Sequence, residues 1–596
     1  MSVQELITDH LDLWTGAVTK KASSGRGRNG KIELTGVQKL RELILELAVR
    51  GKLVDQNPND EPARMLLDEI DKDKAKLTRL GKLKKPKKYP QVSEEDHPFI
   101  IPSSWAWERM HRVFHKITDG THRSPPNTES GDFLYVSAKN IKPEGVQLEG
   151  ITYVTKSIHE EIYGRCNPEP EDLLYIKDGA TTGIAAINNL DEPFSMLSSV
   201  ALLKPHRELL SNKFLLYCLR APFFYQEMRA GMTGVAITRV TLKKLNLALI
   251  PVPPIKEQHR IVQKVDELMA LCDRLEQQTG DKLEAHETLV DTLLGTLTES
   301  ENATELADNW ARLAAHFDTL FSTEQSIDKL KQTILQLAVM GRLVEQDAGD
   351  ESASELLDSI TTEREELVKS GKMRPPKIPA KTDLQLSPPY PAPHNWSWAR
   401  LGELFAIVTD GDHQAPPKSE EGVPFLVIGN LNTGRIDFAG CKYVNESYYS
   451  RLDWSRKPTN GDLLYTVTGS YGIPIKVLTS KAFCVQRHVA ILRATASTPR
   501  DYVKLVLESE YGQSYAEEIA TGIAQKTVPL TGLRKMPISL PPQAEQYRIV
   551  QKVDELIALC DQLKERLNQA NETRSQLAEA AVDKALCQGN LHASIR

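Results

Sequence analysis

The chain has 596 residues, 40% hydrophobic and 26% charged, with a formal net charge of −6. That is globular composition for roughly three to five domains, and the negative balance removes any argument for nucleic acid from bulk basicity. No apolar run approaches the ~18–20 residues of a membrane-spanning helix, and MSVQELITDH at the N-terminus lacks a charged-then-apolar leader pattern. Seven scattered cysteines, the closest pair being Cys560 and Cys587, suggest neither a disulfide framework nor a zinc ribbon. A cytoplasmic protein is expected.

In chain order, Gly25–Lys31 (GRGRNGK) has the glycine spacing of a phosphate loop. Ile32 stands where Ser or Thr must ligate Mg²⁺, and no strand precedes it, so it reads as linker. Amphipathic helices are predicted over 37–52 and 62–80, punctuated by Gly51 as a natural C-cap. A Lys- and Pro-rich linker, 82–102, follows. From Trp105 the pattern changes to short runs, FLYVSA, ITYV, DLLYI and SVALL, which suit strands separated by Gly, Asp and Asn turns. A helix-like stretch (212–230), a TG loop and an apolar run lead into Pro253-Pro254. From Lys256 to about Ser300, Ile261, Val265, Leu268, Cys272 and Leu275 alternate by four and three, a heptad seam that needs a partner helix.

The same series then repeats. Helices are predicted over 327–341 and 352–370, with Gly341 as cap, then a linker (372–395) with seven prolines. From Trp396 the runs PFLVIG, CKYV, DLLYTV and VAILR suit strands, followed by a helix-like stretch at 500–520. A second seam, Ile549, Val553, Leu556, Cys560 and Leu563, closes the chain. Pro253–Leu275 and Pro541–Leu563 are identical at 18 of 23 positions, at an offset of 288. KLRELILELAVRGKLVDQ (39–56) answers KLKQTILQLAVMGRLVEQ (329–346) at 290, and TDGTHRSPP (118–126) answers TDGDHQAPP (409–417) at 291. Two units of about 290 residues account for the protein.

The arrangement is circular. The helices before the first globular segment match the second half of the central helical region, and the helix after the second segment matches its first half. The two chain ends together are therefore expected to rebuild what the middle holds in one piece. A half-chain of residues 1 to about 300 is expected to pair with a second copy of itself through its exposed seam.

No catalytic set is recognisable. Ser387-Pro388-Pro389-Tyr390 resembles the SPPY-type motif of amino-methyltransferases, but it lies in a linker and no glycine-rich S-adenosylmethionine loop occurs elsewhere. His111 and His115 have metal-like spacing without the Glu of HExxH, and the second copy has Gly402 and Ala406 there. Cys272 and Cys560 sit on the seam as small core residues. Asp119-Gly120-Thr121-His122-Arg123, and Asp410-Gly411 with His413 and Gln414, form the one repeated polar constellation. It reads either as a fixed turn or as a nucleic-acid contact.

Two places suit DNA. Met228–Lys256 is free of acids and holds Arg229, Arg239, Lys243 and Lys244; Ile519–Ala544 is again free of acids, with Gln525, Lys526, Arg534 and Lys535. Such local basic loops are what phosphate contacts require, although a solvated face fits as well. Lys139 and Asn140, and Asn430, Asn432 and Arg435, are residue types that read base edges, or else bond within their own loops.

The repeated Pro-Pro-x-x-Glu-Gln-x-Arg-Ile-Val, the Asp-Leu-Leu-Tyr strands, the TG loops and the circular repeat resemble the specificity subunit of type I restriction–modification systems, in the branch with a long N-terminal conserved region. The resemblance implies an α+β fold. Two similar α/β target-recognition domains (105–252 and 396–540) are separated and flanked by helical conserved regions (1–104, 253–395, 541–596), antiparallel and coiled-coil-like, in a pseudo-two-fold circular arrangement. It implies that each domain reads half of a split DNA target while the helices set spacing and dock two modification (methyltransferase) subunits. S-adenosylmethionine, ATP and Mg²⁺ would belong to modification and restriction subunits, none to this chain, which would be non-catalytic. Competing readings are a self-sufficient methyltransferase or nuclease, and a coiled-coil scaffold without nucleic acid.

Overall fold

The computed structural model describes residues 9–20, 32–81, 83, 89–230, 239–301, 303–374, 389–412, 419–523 and 525–587. The chain divides into two compact units. The first takes residues up to Lys282 together with the chain from Gln569 onward; the second takes Leu283–Asn568.

In the first unit, the helix Thr35–Val49 buries Val37, Leu40, Leu43, Ile44 and Leu47, the i, i+3, i+4 pattern of a core-facing stripe. Gly51 ends it with φ +68°, and a Cβ there would lie 2.5 Å from the Pro102 ring, so glycine is required twice over. A second helix, Ala63–Arg79, packs beside it in the same core. The short helix Leu11–Gly16, whose Trp14 is fully buried, has no counterpart among the predicted elements.

The 45-residue helix Ile255–Glu299 has the expected length. Its seam residues Ile261, Val265, Leu268, Cys272 and Leu275 are buried in the core of the first unit, with Leu40 and Leu43. Arg41 tightens the contact by pairing with Asp273 (2.6 Å) and Glu276 (3.0 Å). The expectation of an exposed seam waiting for a second copy is thus corrected: the partner helix is Thr35–Val49 of the same unit. Burial pushes the Cys272 thiol up to about 11, which leaves it an inert core group.

The circular expectation holds within the unit. Ala578 is buried in that same core, with Val582, Ala585 and Leu586 packed against it, and Lys52 Nζ donates to Leu586 O at 2.7 Å. The second unit makes the equivalent closure from one continuous stretch. Val290, Leu294 and Leu297 lie in a core with Ile327, Leu330 and Ile334, and Arg342 donates to Thr298 O at 2.7 Å. There Ile549, Val553 and Cys560 are buried on the 45-residue helix Gln543–Cys587, with Leu556 and Leu563 partly so.

Each unit carries the same mixed domain. A four-stranded antiparallel sheet has the order Phe114–Asp119, Val200–Pro205, Leu173–Ile176, Ala185–Ile187. The second copy repeats it as Ile407–Asp410, Val489–Arg493, Leu463–Thr466, Pro474–Lys476. Leu173–Ile176 is apolar at every position because both faces are covered. Leu173 and Tyr175 face the helical core, while Leu174 and Ile176 face a second core. A three-stranded sheet lies on that second side, with Phe133–Val136 between the antiparallel Thr152–Val154 and the parallel Ser195–Met196. Val423–Leu426, Lys442–Val444 and Cys484–Val485 match it. The entry and exit strands pair, Ala106–Arg109 with Leu249–Val252 and Ser397–Arg400 with Pro537–Leu540, so each domain is tied shut where it meets the helices. The two helix-like stretches each break in two, at Pro222 and at Ser509, whose side chain accepts from Gly512 N.

Candidate nucleic-acid interface

In both domains one short turn between strands gathers the loops. In the first it is Leu197–Val200, closed by Val200 N donating to Leu197 O at 3.1 Å. Ser198 N donates to Thr121 O, Leu197 N to Val136 O and Lys177 N to Ser199 O, each at 2.9 Å, and Ala138 N donates to Ser199 Oγ at 3.2 Å. Val240 N then donates to Lys177 O at 2.8 Å, which brings in the end of the basic loop. The Asp-Gly-x-His loop, the 137–140 turn and the segment at Arg239 are therefore neighbours, although they are far apart in sequence.

The second domain repeats this around Gln486–Val489. Gln486 N donates to Leu426 O (3.0 Å), Val467 N to His488 O (2.9 Å) and Val528 N to Val467 O (2.8 Å). Asp412 bridges to Gln486 as Thr121 does to Leu197. The two loop glycines are steric necessities. A Cβ on Gly120 would sit 1.8 Å from Met196 O, and one on Gly411 2.0 Å from Val485 O.

Electrostatics fix the turn, differently in each copy. Asp119 is 1% exposed and accepts from Arg165 at 2.7 Å, with His122 at 3.4 Å and the buried Lys177 at 3.6 Å. Arg456, the counterpart of Arg165, lies 3.0 Å from Asp412 and 4.0 Å from Asp410. Tyr448 Oη donates to Asp412 at 2.9 Å, and burial together with that carboxylate raises the phenol's pKa.

The predicted residues divide into exposed and committed groups. Arg123, Lys139, Arg239 and Lys243 are exposed in the first domain, as are Asn432, Arg435 and Gln525 in the second. Asn140 and Asn430 are turned inward, 4% and 7% exposed. Asn140 accepts from Ser137 N (3.1 Å) and donates to Gln147 O (3.4 Å); Asn430 accepts from Val427 N (3.1 Å) and donates to Ala439 O (3.4 Å). Their geometry is that of turn locks, since both ends of each amide are engaged inside the loop.

Several cations are likewise engaged. Lys244 Nζ donates to Met228 O (3.0 Å) and Ala230 O, capping the helix Pro222–Arg229. Arg229 donates to Thr182 O at 3.3 Å and lies over the Tyr225 ring. Arg534 donates to Val408 O at 2.6 Å, and Lys535 is exposed. Lys526 pairs with Glu517, an acid from just outside the acid-free stretch. Thr121 Oγ1 donates to Arg123 O at 3.0 Å. His413, Gln414, most of the first TG loop, Gly25–Lys31 and Ser387–Pro388 lie outside the described residues.

Sequence reasoning missed Gln486, Arg487 and His488 altogether. They stand at the gathering turn of the second domain, where the first has Leu197, Ser198 and Ser199. It also missed Arg165, Arg456 and Lys177, the cations that hold the turn. His111 and His115 do not converge on a ligand. His111 Nδ1 contacts Asn246 O at 3.3 Å, while His115 meets His206 edge-on and is pushed down to about 4 by burial and then by His206 and Lys204. No group of three or more metal-ligating side chains occurs among the described residues. No helix among them is long and apolar enough to cross a membrane. Tyr390 packs on Trp398 and Tyr511 and shares a 2.8 Å hydrogen bond with Ser539, so this end of the SPPY segment is part of the domain's packing.

This is a protein with two copies of one loop platform, each mounted on long helices and each carrying its own set of exposed side chains. The family model for the type I restriction modification DNA specificity domain matches residues 102–285 and 393–572, and the chain belongs to that family as a type I specificity subunit with two recognition domains. It is 37% identical to the type I restriction enzyme EcoEI specificity subunit of Escherichia coli, over 98% of this chain and 100% of that one. The EcoAI specificity subunit of the same organism is 36% identical, also over 98% and 100%. A solved chain from work on complex assembly and conformational transition of the type I R-M system aligns over 82% of this chain and 99% of its own. Its identity is 18% and its TM-score 0.45.

Proposed function

We propose that each recognition domain reads one half of a bipartite, asymmetric DNA sequence. The long helices set the distance between the halves and dock two modification subunits, which methylate adenine N6 with their own S-adenosylmethionine. Restriction subunits, with ATP and Mg²⁺, act on unmodified DNA. This chain supplies sequence choice and no catalytic group.

The observation that carries the reading is the duplicated platform. The backbone gathering four loops is the same in both domains, while the side chains on it differ, as two half-sites of different sequence require. Exposed Lys139, Arg239 and Lys243 in the first domain and Arg435 in the second suit phosphate contacts within a chain of net negative charge. Mapping methylated adenines in cells with and without this chain tests the proposal. A split, asymmetric motif should be methylated only when the chain is present, and methylation that persists without it would contradict the reading. S-adenosylmethionine binding by the purified chain alone would favour the self-sufficient methyltransferase instead.

A further inference from the structure

The gathering turn of the second domain carries chemistry that its counterpart lacks. Val489 N donates to Gln486 O at 3.0 Å, which places Arg487 and His488 in the middle of a tight turn. Both ends of that turn are tied into neighbouring elements through Leu426 and Val467. Side chains on such a turn are presented by a rigid backbone, as a base-reading contact demands. Arg487 is exposed, and Gln486 and His488 are half-buried.

The three side chains also organise one another. Arg487 Nε donates to His488 Nε2 at 3.3 Å, so that ring nitrogen is unprotonated and the proton sits on Nδ1. The Gln486 amide lies 2.6 Å from Nδ1 and accepts its proton once the amide is assigned with oxygen toward the ring. Burial, and after it the Arg487 charge, lowers the His488 pKa, in keeping with a neutral ring. This arrangement uses only Nε of the guanidinium. Its two terminal nitrogens have no partner among the described residues and form the fork that matches guanine O6 and N7. In the first domain Ser199 Oγ is taken by Ala138 N, and Leu197 and Ser198 offer no fork.

We propose that Arg487 reads a guanine in the half-site of the second domain, with His488 and Gln486 as the residues that position it. The first domain reads no guanine from the equivalent place. The proposal rests on the reading of this chain as a DNA specificity subunit.

The test uses the full chain with its modification subunits and maps methylated adenines. Arg487→Ala should relax one guanine position of one half-site about 5- to 150-fold and leave the other half-site unchanged. His488→Ala should relax the same position less. Arg487→Lys keeps the charge but loses the fork, so it should also relax the position. Unchanged discrimination in Arg487→Ala, relaxation in both half-sites, or a uniform loss of binding across all sequences would overturn the proposal, the last by showing a phosphate contact. Should Arg487→Ala abolish methylation, binding of the assembled complex to duplexes differing only at that guanine gives the same decision, with equal loss on both duplexes counting against it. Failure of the underlying reading looks different, because the unaltered chain would then direct no bipartite methylation at all.

Discussion

In the first unit Lys52 reaches Leu586 O across 534 residues of sequence; in the second Arg342 reaches Thr298 O across 44, at the same 2.7 Å. Gln56 donates to Glu257 at 2.6 Å and Gln346 to Glu545 at 2.5 Å, and Arg260–Asp60 and Arg548–Asp350 are 2.7 and 2.6 Å pairs. These joints recur in both units, whether the chain supplies them from one stretch or from its two ends. The loop platforms differ: a buried Asp119 held by Arg165 and Lys177 in one, a half-exposed Asp412 held by Arg456 and Tyr448 in the other. Joints must fit one another, so divergence there is destabilising. A platform only has to fit its own DNA.

The comparison breaks most severely at the shared glycines. Gly120→Ala and Gly411→Ala each drive a methyl group into a backbone carbonyl and should cost about 3 kcal/mol or more, in the domain that carries them. Hydrogen exchange resolved by domain checks this, and equal protection loss in both domains would contradict it. Asp119→Ala removes a buried carboxylate from Arg165 and leaves Lys177 with Asp178 alone, and should cost about 2–3 kcal/mol, whereas Asp412→Ala, in a more exposed cluster with Arg456 and Tyr448, should cost about 1 kcal/mol. Chemical denaturation of the two variants measures the difference.

Asn140→Ala and Asn430→Ala should each cost about 1–2 kcal/mol by leaving loop backbone groups unpaired, with the methylated sequence unchanged. A relaxed half-site would return them to the role of base readers. The smallest effect is expected at Lys243→Gln, which should weaken DNA binding across all sequences and reduce the salt slope by about 0.9. Lys244→Gln should instead loosen the end of the helix Pro222–Arg229 and leave the slope in place, because its ammonium group already caps that helix.

Much of this was legible in the sequence, for identifiable reasons. The heptad spacing of Ile261 to Leu275 and the caps at Gly51 and Gly341 are local signals, and the long helix and the helix ends follow them closely. DLLYI reads as a buried strand because the sheet is covered on both faces. What could not be read is what depends on long-range closure. Thr35–Val49 covers the seam from more than 200 residues away, and Arg165 and Lys177 reach Asp119 from separate elements. Asn140 in a loop has the same sequence signature whether it faces bases or its own backbone, and only the fold turns it inward. Gln486, Arg487 and His488 carry no signal at all until the turn brings four loops to them.

The central claim is that the joints are common and the reading is private to each domain. Its most direct test is a chain in which residues 396–540 are replaced by a second copy of 105–252, assembled with modification subunits, with its methylated adenines mapped. Two identical platforms on unchanged joints should direct methylation to a target built twice from the first half-site. Methylation of the original asymmetric sequence by that chain would contradict the claim.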